Sequence, residues 1–92
     1  MDNKCYLIIY DLRRPGIHYA ALYDAIKSYN VWGKITESVW AIVSNDSAND
    51  IACNLHQYVD SNDRLMVIRS GKESTWYNAM ANSEWLKINL VK

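Results

Sequence analysis

Two short stretches constrain this chain more than anything else in it, because each is apolar on both sides. Cys5-Tyr6-Leu7-Ile8-Ile9-Tyr10 is a continuous β-rich run that ends at Asp11, and Val39-Trp40-Ala41-Ile42-Val43 is a second. Successive side chains of a strand point to opposite faces of its sheet. In the first run Cys5, Leu7 and Ile9 take one face, and Tyr6, Ile8 and Tyr10 the other. In the second, Val39, Ala41 and Val43 oppose Trp40 and Ile42. An antiparallel sheet with one solvated face alternates apolar with polar residues. These two strands therefore require cover on both sides.

The elements around them are readable from periodicity. Arg13-Arg14-Pro15-Gly16 breaks the first run as a turn does. From His18 to Asn30, Tyr19, Leu22, Tyr23, Ile26 and Tyr29 recur at three- and four-residue intervals, which predicts an amphipathic helix with Asp24, Lys27 and Ser28 turned away. Val31–Glu37 and Val39–Asn45 predict two antiparallel strands joined near Glu37-Ser38. Ser47-Ala48-Asn49-Asp50 resembles a capping box with Asp in place of Glu, and it opens a helix whose buried stripe is Ile51, Leu55, Tyr58 and Val59. Asp60-Ser61-Asn62-Asp63 stops that helix, and Arg64 to Ser70 predicts a last strand. The tail beyond Gly71 carries Trp76, Tyr77, Met80, Trp85, Leu86, Ile88 and Leu90, with Ser74 and Ser83 as expected caps of two short helices.

The order βαββαβ predicts an α+β, ferredoxin-like fold: a four-stranded antiparallel sheet with two helices on one face and a short helical aromatic C-terminal tail. Strands one and three are central in that topology, and they are the two apolar runs. Two helices cover only one face. Bare apolar surface costs roughly 25 cal/mol per Å² and large exposed patches mark interfaces. The second face is therefore expected to meet another copy of the chain, giving a homodimer through the sheet, or to be closed by the aromatic tail.

Ninety-two residues make a single domain over 1–92, with a core at about 4–70 and a tail at 71–92. Ten basic and ten acidic side chains leave no net charge, which argues against a strongly basic nucleic-acid scaffold but leaves room for a local basic patch. No P-loop, GxGxxG, HExxH, zinc-ligand spacing or nucleophile elbow is present, which removes most nucleotide-hydrolase and metalloprotease classes. Cys5 and Cys53 lie in apolar surroundings without CxxC spacing, so both are expected to be buried, structural thiols. With no leader-like segment and no apolar run of membrane-spanning length, a cytoplasmic chain without a membrane partner is expected.

An apolar strand ending in Tyr10-Asp11, a helix, Trp32, then Glu37-Ser38-Val39-Trp40, a second helix and a closing strand together resemble the Cas-two family of small ferredoxin-like homodimers of CRISPR adaptation. The resemblance spans about residues 4 to 70. Tyr10-Asp11-Leu12, Pro15-Gly16, Ile35-Thr36-Glu37-Ser38, Asp60-Ser61-Asn62-Asp63 and Ser83-Glu84-Trp85-Leu86-Lys87 look closer still to small bacterial and phage proteins of the SinR-family label, which carries no biochemical assignment. The Cas-two resemblance implies an aspartate near the dimer axis at the end of strand one, here Asp11. Some members hold a divalent metal with it and cut RNA or DNA; others serve as scaffolds.

Asp11 is accordingly the catalytic and metal-ligating candidate for Mg2+ or Mn2+, since hard cations take carboxylate oxygens and acidify bound water; the alternative is a loop cap. Arg13 and Arg14 are candidates to clasp phosphate bidentately, against a solvated turn. His18 is a candidate proton shuttle near neutral pH, against simple exposure. Tyr10, Trp32 and Trp40 are candidates to stack bases, against core packing, whereas His56 is expected at the surface. The reading is a homodimer that binds nucleic acid or nucleotides, with weak divalent-metal-dependent phosphodiesterase activity resting on Asp11. The alternative is a non-catalytic homodimeric module that sequesters a nucleotide-like ligand or a partner protein.

Overall fold

The computed structural model describes residues 3–13 and 19–92. Its elements are β1 (Lys4–Asp11), α1 (Ala20–Lys27), β2 (Val31–Thr36), β3 (Val39–Ser44), α2 (Ala48–His56), β4 (Arg64–Arg69) and α3 (Ser83–Asn89). The four strands form one antiparallel sheet in the order β2-β3-β1-β4, so the two apolar runs are central. β2 and β3 are joined at Glu37-Ser38, and Tyr10 N–H donates to Ser38 O at 3.1 Å, which brings the end of β1 to that turn.

One face of the sheet is buried under α1 and α2. Tyr6, Ile8, Tyr10, Trp40 and Ile42 meet Leu22 and Ile26 of α1 and Ile51 and Leu55 of α2 in a single core. Both helices are short, so this apolar stripe holds them more than helix propensity does. Ser47 caps α2, its Oγ accepting from Asp50 N at 3.1 Å.

The second face carries a separate cluster in which Cys5, Ala41 and Val43 meet Leu86 and Leu90, with Val31, Ile35, Trp76 and Trp85 around them. Of the two covers expected from the sequence, the tail lies on this part of the sheet. It is tied down at both ends. Met80 N donates to Ile35 O at 2.9 Å, where the β2–β3 register shifts. At the far end Ser70 Oγ donates to Leu90 O at 2.6 Å and Arg69 Nη2 to Lys92 O at 2.8 Å.

Three tail and thiol expectations are corrected. Residues after Gly71 form one helix, not two, and Ser74 opens none. Asn82, not Ser83, caps α3, its Oδ1 accepting from Glu84 N and Trp85 N. Cys53 is exposed, because it lies on the side of α2 turned away from Ile51 and Leu55. Cys5 is fully buried.

The tail does not cover everything. Ile9 pairs with Met66 and Leu7 with Ile68, so these side chains share the second face along β1 and β4. Met66 is 57% and Ile68 49% exposed. No described strand pairs with the outer edge of β4. No helix among the described residues is long and apolar enough to cross a membrane.

Candidate functional site

Asp11 is the last residue of β1 and stands opposite Arg64, the first residue of β4. Antiparallel pairing therefore sets a carboxylate and a guanidinium side by side. Arg64 Nη1 lies 3.3 Å from Asp11 Oδ2, and Arg13 Nη1 reaches the same oxygen at 3.4 Å. The Asp11 side chain is still 55% exposed. Beside it an open depression of about 350 Å³ is lined by Ile9, Tyr10, Asp11, Arg64, Leu65 and Met66.

The backbone of this corner is fixed by Asp63, in the loop before β4. Asp63 Oδ1 accepts from Arg13 N at 2.7 Å and from Tyr19 Oη at 3.0 Å, while Oδ2 accepts from Asp60 N at 2.7 Å. One carboxylate thus joins the exit of β1, the approach to α1 and the α2–β4 loop. Charge-assisted bonds of this length are the stronger kind.

Tyr10 lies at the same end of the sheet, but its ring enters the core. Its hydroxyl accepts from Trp40 Nε1 at 2.9 Å and donates to Glu37 O at 3.1 Å. Burial pushes the phenol above its ordinary value, partly opposed by the Trp40 hydrogen bond. Tyr10 begins a row of rings: Tyr10–Tyr23 at 6.2 Å between centroids, Tyr23–Trp40 at 6.1 Å and Trp40–Trp32 at 5.6 Å. Trp40 is buried with Tyr10, whereas Trp32, at the outer end, is 38% exposed.

The structure thus brings Asp11 and Arg13 together and places Tyr10 directly behind them. Arg14 and His18 lie outside the described residues. His56 is exposed, as expected. Sequence reasoning missed Arg64, which the pairing of adjacent strand ends would have placed beside Asp11. It also missed Asp63, read only as part of a helix stop, and the two lysines over the ring row. Lys27 Nζ stands 5.4 Å from the Trp32 centroid, and Lys34 Nζ 5.4 Å from that of Trp40.

A resident Mg2+ or Mn2+ fits one protomer poorly. Two guanidiniums already face the Asp11 oxygen, and no group of three or more His, Cys, Asp or Glu side chains suited to a metal occurs among the described residues. At this corner two exposed guanidiniums share one carboxylate oxygen. No family model and no solved structure matches the chain.

Proposed function

We infer that this protein is a ferredoxin-like homodimer that binds nucleic acid or nucleotides, gripping phosphate at the corner formed by Arg13 and Arg64. The observation that carries this reading is the convergence of both guanidiniums on Asp11 Oδ2, at 3.4 and 3.3 Å, with all three groups open to solvent. A phosphate offers two guanidiniums more acceptor oxygens than one carboxylate does. Phosphate therefore competes for the arginines, and Asp11 tempers the site. A neutral chain holds such a patch without being basic overall. The resemblance to the Cas-two family points to the same class of ligand.

The dimer reading is supported by Met66 and Ile68, which the tail leaves open next to the edge of β4 that no described strand pairs. Metal-dependent phosphodiester cleavage is the second reading. It rests on the exposure of Asp11 and needs further ligands from a second protomer or from the substrate. Asp11→Ala separates the two in one experiment, followed by anisotropy of a labelled oligonucleotide and by gel assay with Mg2+ or Mn2+. Phosphate gripping predicts tighter binding once the carboxylate is gone, and weaker binding with a shallower salt dependence in Arg13→Ala and Arg64→Ala, by about 0.7–0.9 of a log–log slope unit per lost contact. Cleavage present in the parent and abolished in Asp11→Ala would favour the catalytic reading. Binding indifferent to both arginines would end the phosphate-gripping one.

A further inference from the structure

The ring row has a property the arginine corner lacks: aromatic faces that run out to an exposed indole, Trp32, with cations from two different elements standing over the row. Lys27, in the last turn of α1, places Nζ 5.4 Å from the Trp32 centroid and 5.9 Å from that of Trp40. Lys34, on β2, places Nζ 5.4 Å from Trp40 and 6.0 Å from Tyr23. Among the described residues Lys34 has one acidic partner, the exposed Glu37, at 3.7 Å. Lys27 makes no ion pair with any described residue.

The rings beneath are held in place. Trp40 is buried and bonded through Nε1 to Tyr10, whose hydroxyl is in turn bonded to Glu37 O. Trp32 leans on Trp40 with 51° between the ring planes. An indole on such a base loses little freedom when something stacks on it.

We propose that Trp32, with Lys27 and Lys34, is a stacking platform for an unpaired base of single-stranded nucleic acid, the two ammoniums taking the adjoining phosphates. The ligand must be single-stranded, because a base inside a duplex has no free face to offer a ring on a sheet surface. At rest, Lys27 covers the indole. An exposed cation–π contact is worth about two- to fivefold in an equilibrium constant, whereas base–aromatic stacking is worth about five- to more than a hundredfold. A base therefore displaces the ammonium, which moves on its flexible stem to phosphate. An acidic peptide would use the lysines but leave the indole without a stacking partner. The platform deepens the nucleic-acid reading above and rests on it, but it occupies a different patch from the arginine corner.

The test uses the full chain with a fluorescein-labelled 12-nucleotide oligouridine at low salt, read by anisotropy and by tryptophan quenching. Trp32→Ala is expected to weaken binding about tenfold and Trp32→Phe to recover most of the loss. Lys27→Ala is expected to lower the salt slope by about 0.7, and a duplex of the same length to compete poorly. Trp32 is partly exposed, so urea midpoints within the parent's range verify that each variant is folded. If Trp32→Ala binds like the parent while Arg13→Ala and Arg64→Ala weaken, the platform is overturned and the corner stands. If polyglutamate binds and oligouridine does not, the patch is a protein-binding one and the proposal fails. If no oligonucleotide binds at all, the platform is overturned and the nucleic-acid half of the reading above falls with it, leaving the arginine corner to free nucleotides alone.

Discussion

Gly33→Ala is the most direct probe of whether the tail lies on the sheet as described. A Cβ added at Gly33 meets three carbons of the Trp85 ring at 3.0, 3.1 and 3.2 Å, inside the roughly 3.5–4.0 Å of relaxed carbon contact. Either the indole retreats by several tenths of an ångström or β2 bends. Overpacking of this kind costs about 1–3 kcal/mol. Against it, alanine restricts the unfolded chain, which stabilises by about 0.4–1 kcal/mol where the backbone suits it. The sum is a net destabilisation of about 0.5–2 kcal/mol, or several degrees in Tm for a chain of this size. Trp85→Leu removes the ring while keeping an apolar anchor on α3. In that background Gly33→Ala should change sign and stabilise, so a double-mutant cycle by urea denaturation should return a coupling of about 1–3 kcal/mol. Sites that do not touch add within about 0.3–0.5 kcal/mol. An additive cycle, with Gly33→Ala equally harmful in both backgrounds, would refute the placement of Trp85 over β2 and with it the cover over that half of the sheet.

Three other outcomes follow from the same geometry. Burial holds the Cys5 thiol above its ordinary value of 9.0, partly opposed by the Ser70 hydroxyl, and the Tyr10 phenol above 10.0. The folded chain therefore keeps protons that the unfolded chain releases, so the stability these groups give is intact below about pH 9 and is lost as pH rises further; a urea midpoint that holds or climbs between pH 9 and 11 contradicts this. Tyr10→Phe strands the buried Trp40 Nε1–H and should cost about 1–3 kcal/mol, whereas the same change made with Trp40→Phe should cost less than the sum of the two single changes. Met66→Lys with Ile68→Lys should convert a dimer to a monomer in sedimentation while moving stability by about 0.5 kcal/mol or less, as exposed positions do; a parent that is already monomeric at micromolar concentration removes the dimer.

The sheet and its two-sided burial were legible because they follow from alternation alone. Tyr6, Ile8 and Tyr10 against Cys5, Leu7 and Ile9 needed no tertiary information, and the helix start at Ser47 and the turn at Glu37-Ser38 are written in local chemistry. What covers the second face was not legible. Trp76, Trp85 and Leu86 are apolar anchors in either arrangement, and the tethers that settle their place end on backbone carbonyls, Met80 N to Ile35 O and Ser70 Oγ to Leu90 O, acceptors that almost any residue provides. Arg64 escaped for a related reason: its neighbour Asp11 is 53 residues away and is reached only through the strand register. Cys53 was a misreading the sequence could have prevented, since its offset from Ile51 and Leu55 turns it outward.

The division of the second face bears directly on how the candidate sites relate. The tail takes β2, β3 and part of β1, leaving Met66 and Ile68 open on β4. Asp11–Arg64 and Ile9–Met66 are successive same-side pairs of one ladder, so the arginine corner is the polar end of the same apolar strip. A second protomer on that strip would lie next to the corner and could add ligands or cations to it. Trp32 belongs to the opposite face, on the helix side of the sheet, where its ring meets Trp40. Dimerisation through β4 therefore leaves Trp32, the exposed end of the ring row, uncovered. Charges placed on Met66 and Ile68 should alter assembly and phosphate binding at the corner together, yet leave base stacking on Trp32 intact, and that separation is what a sheet dressed differently on its two faces requires.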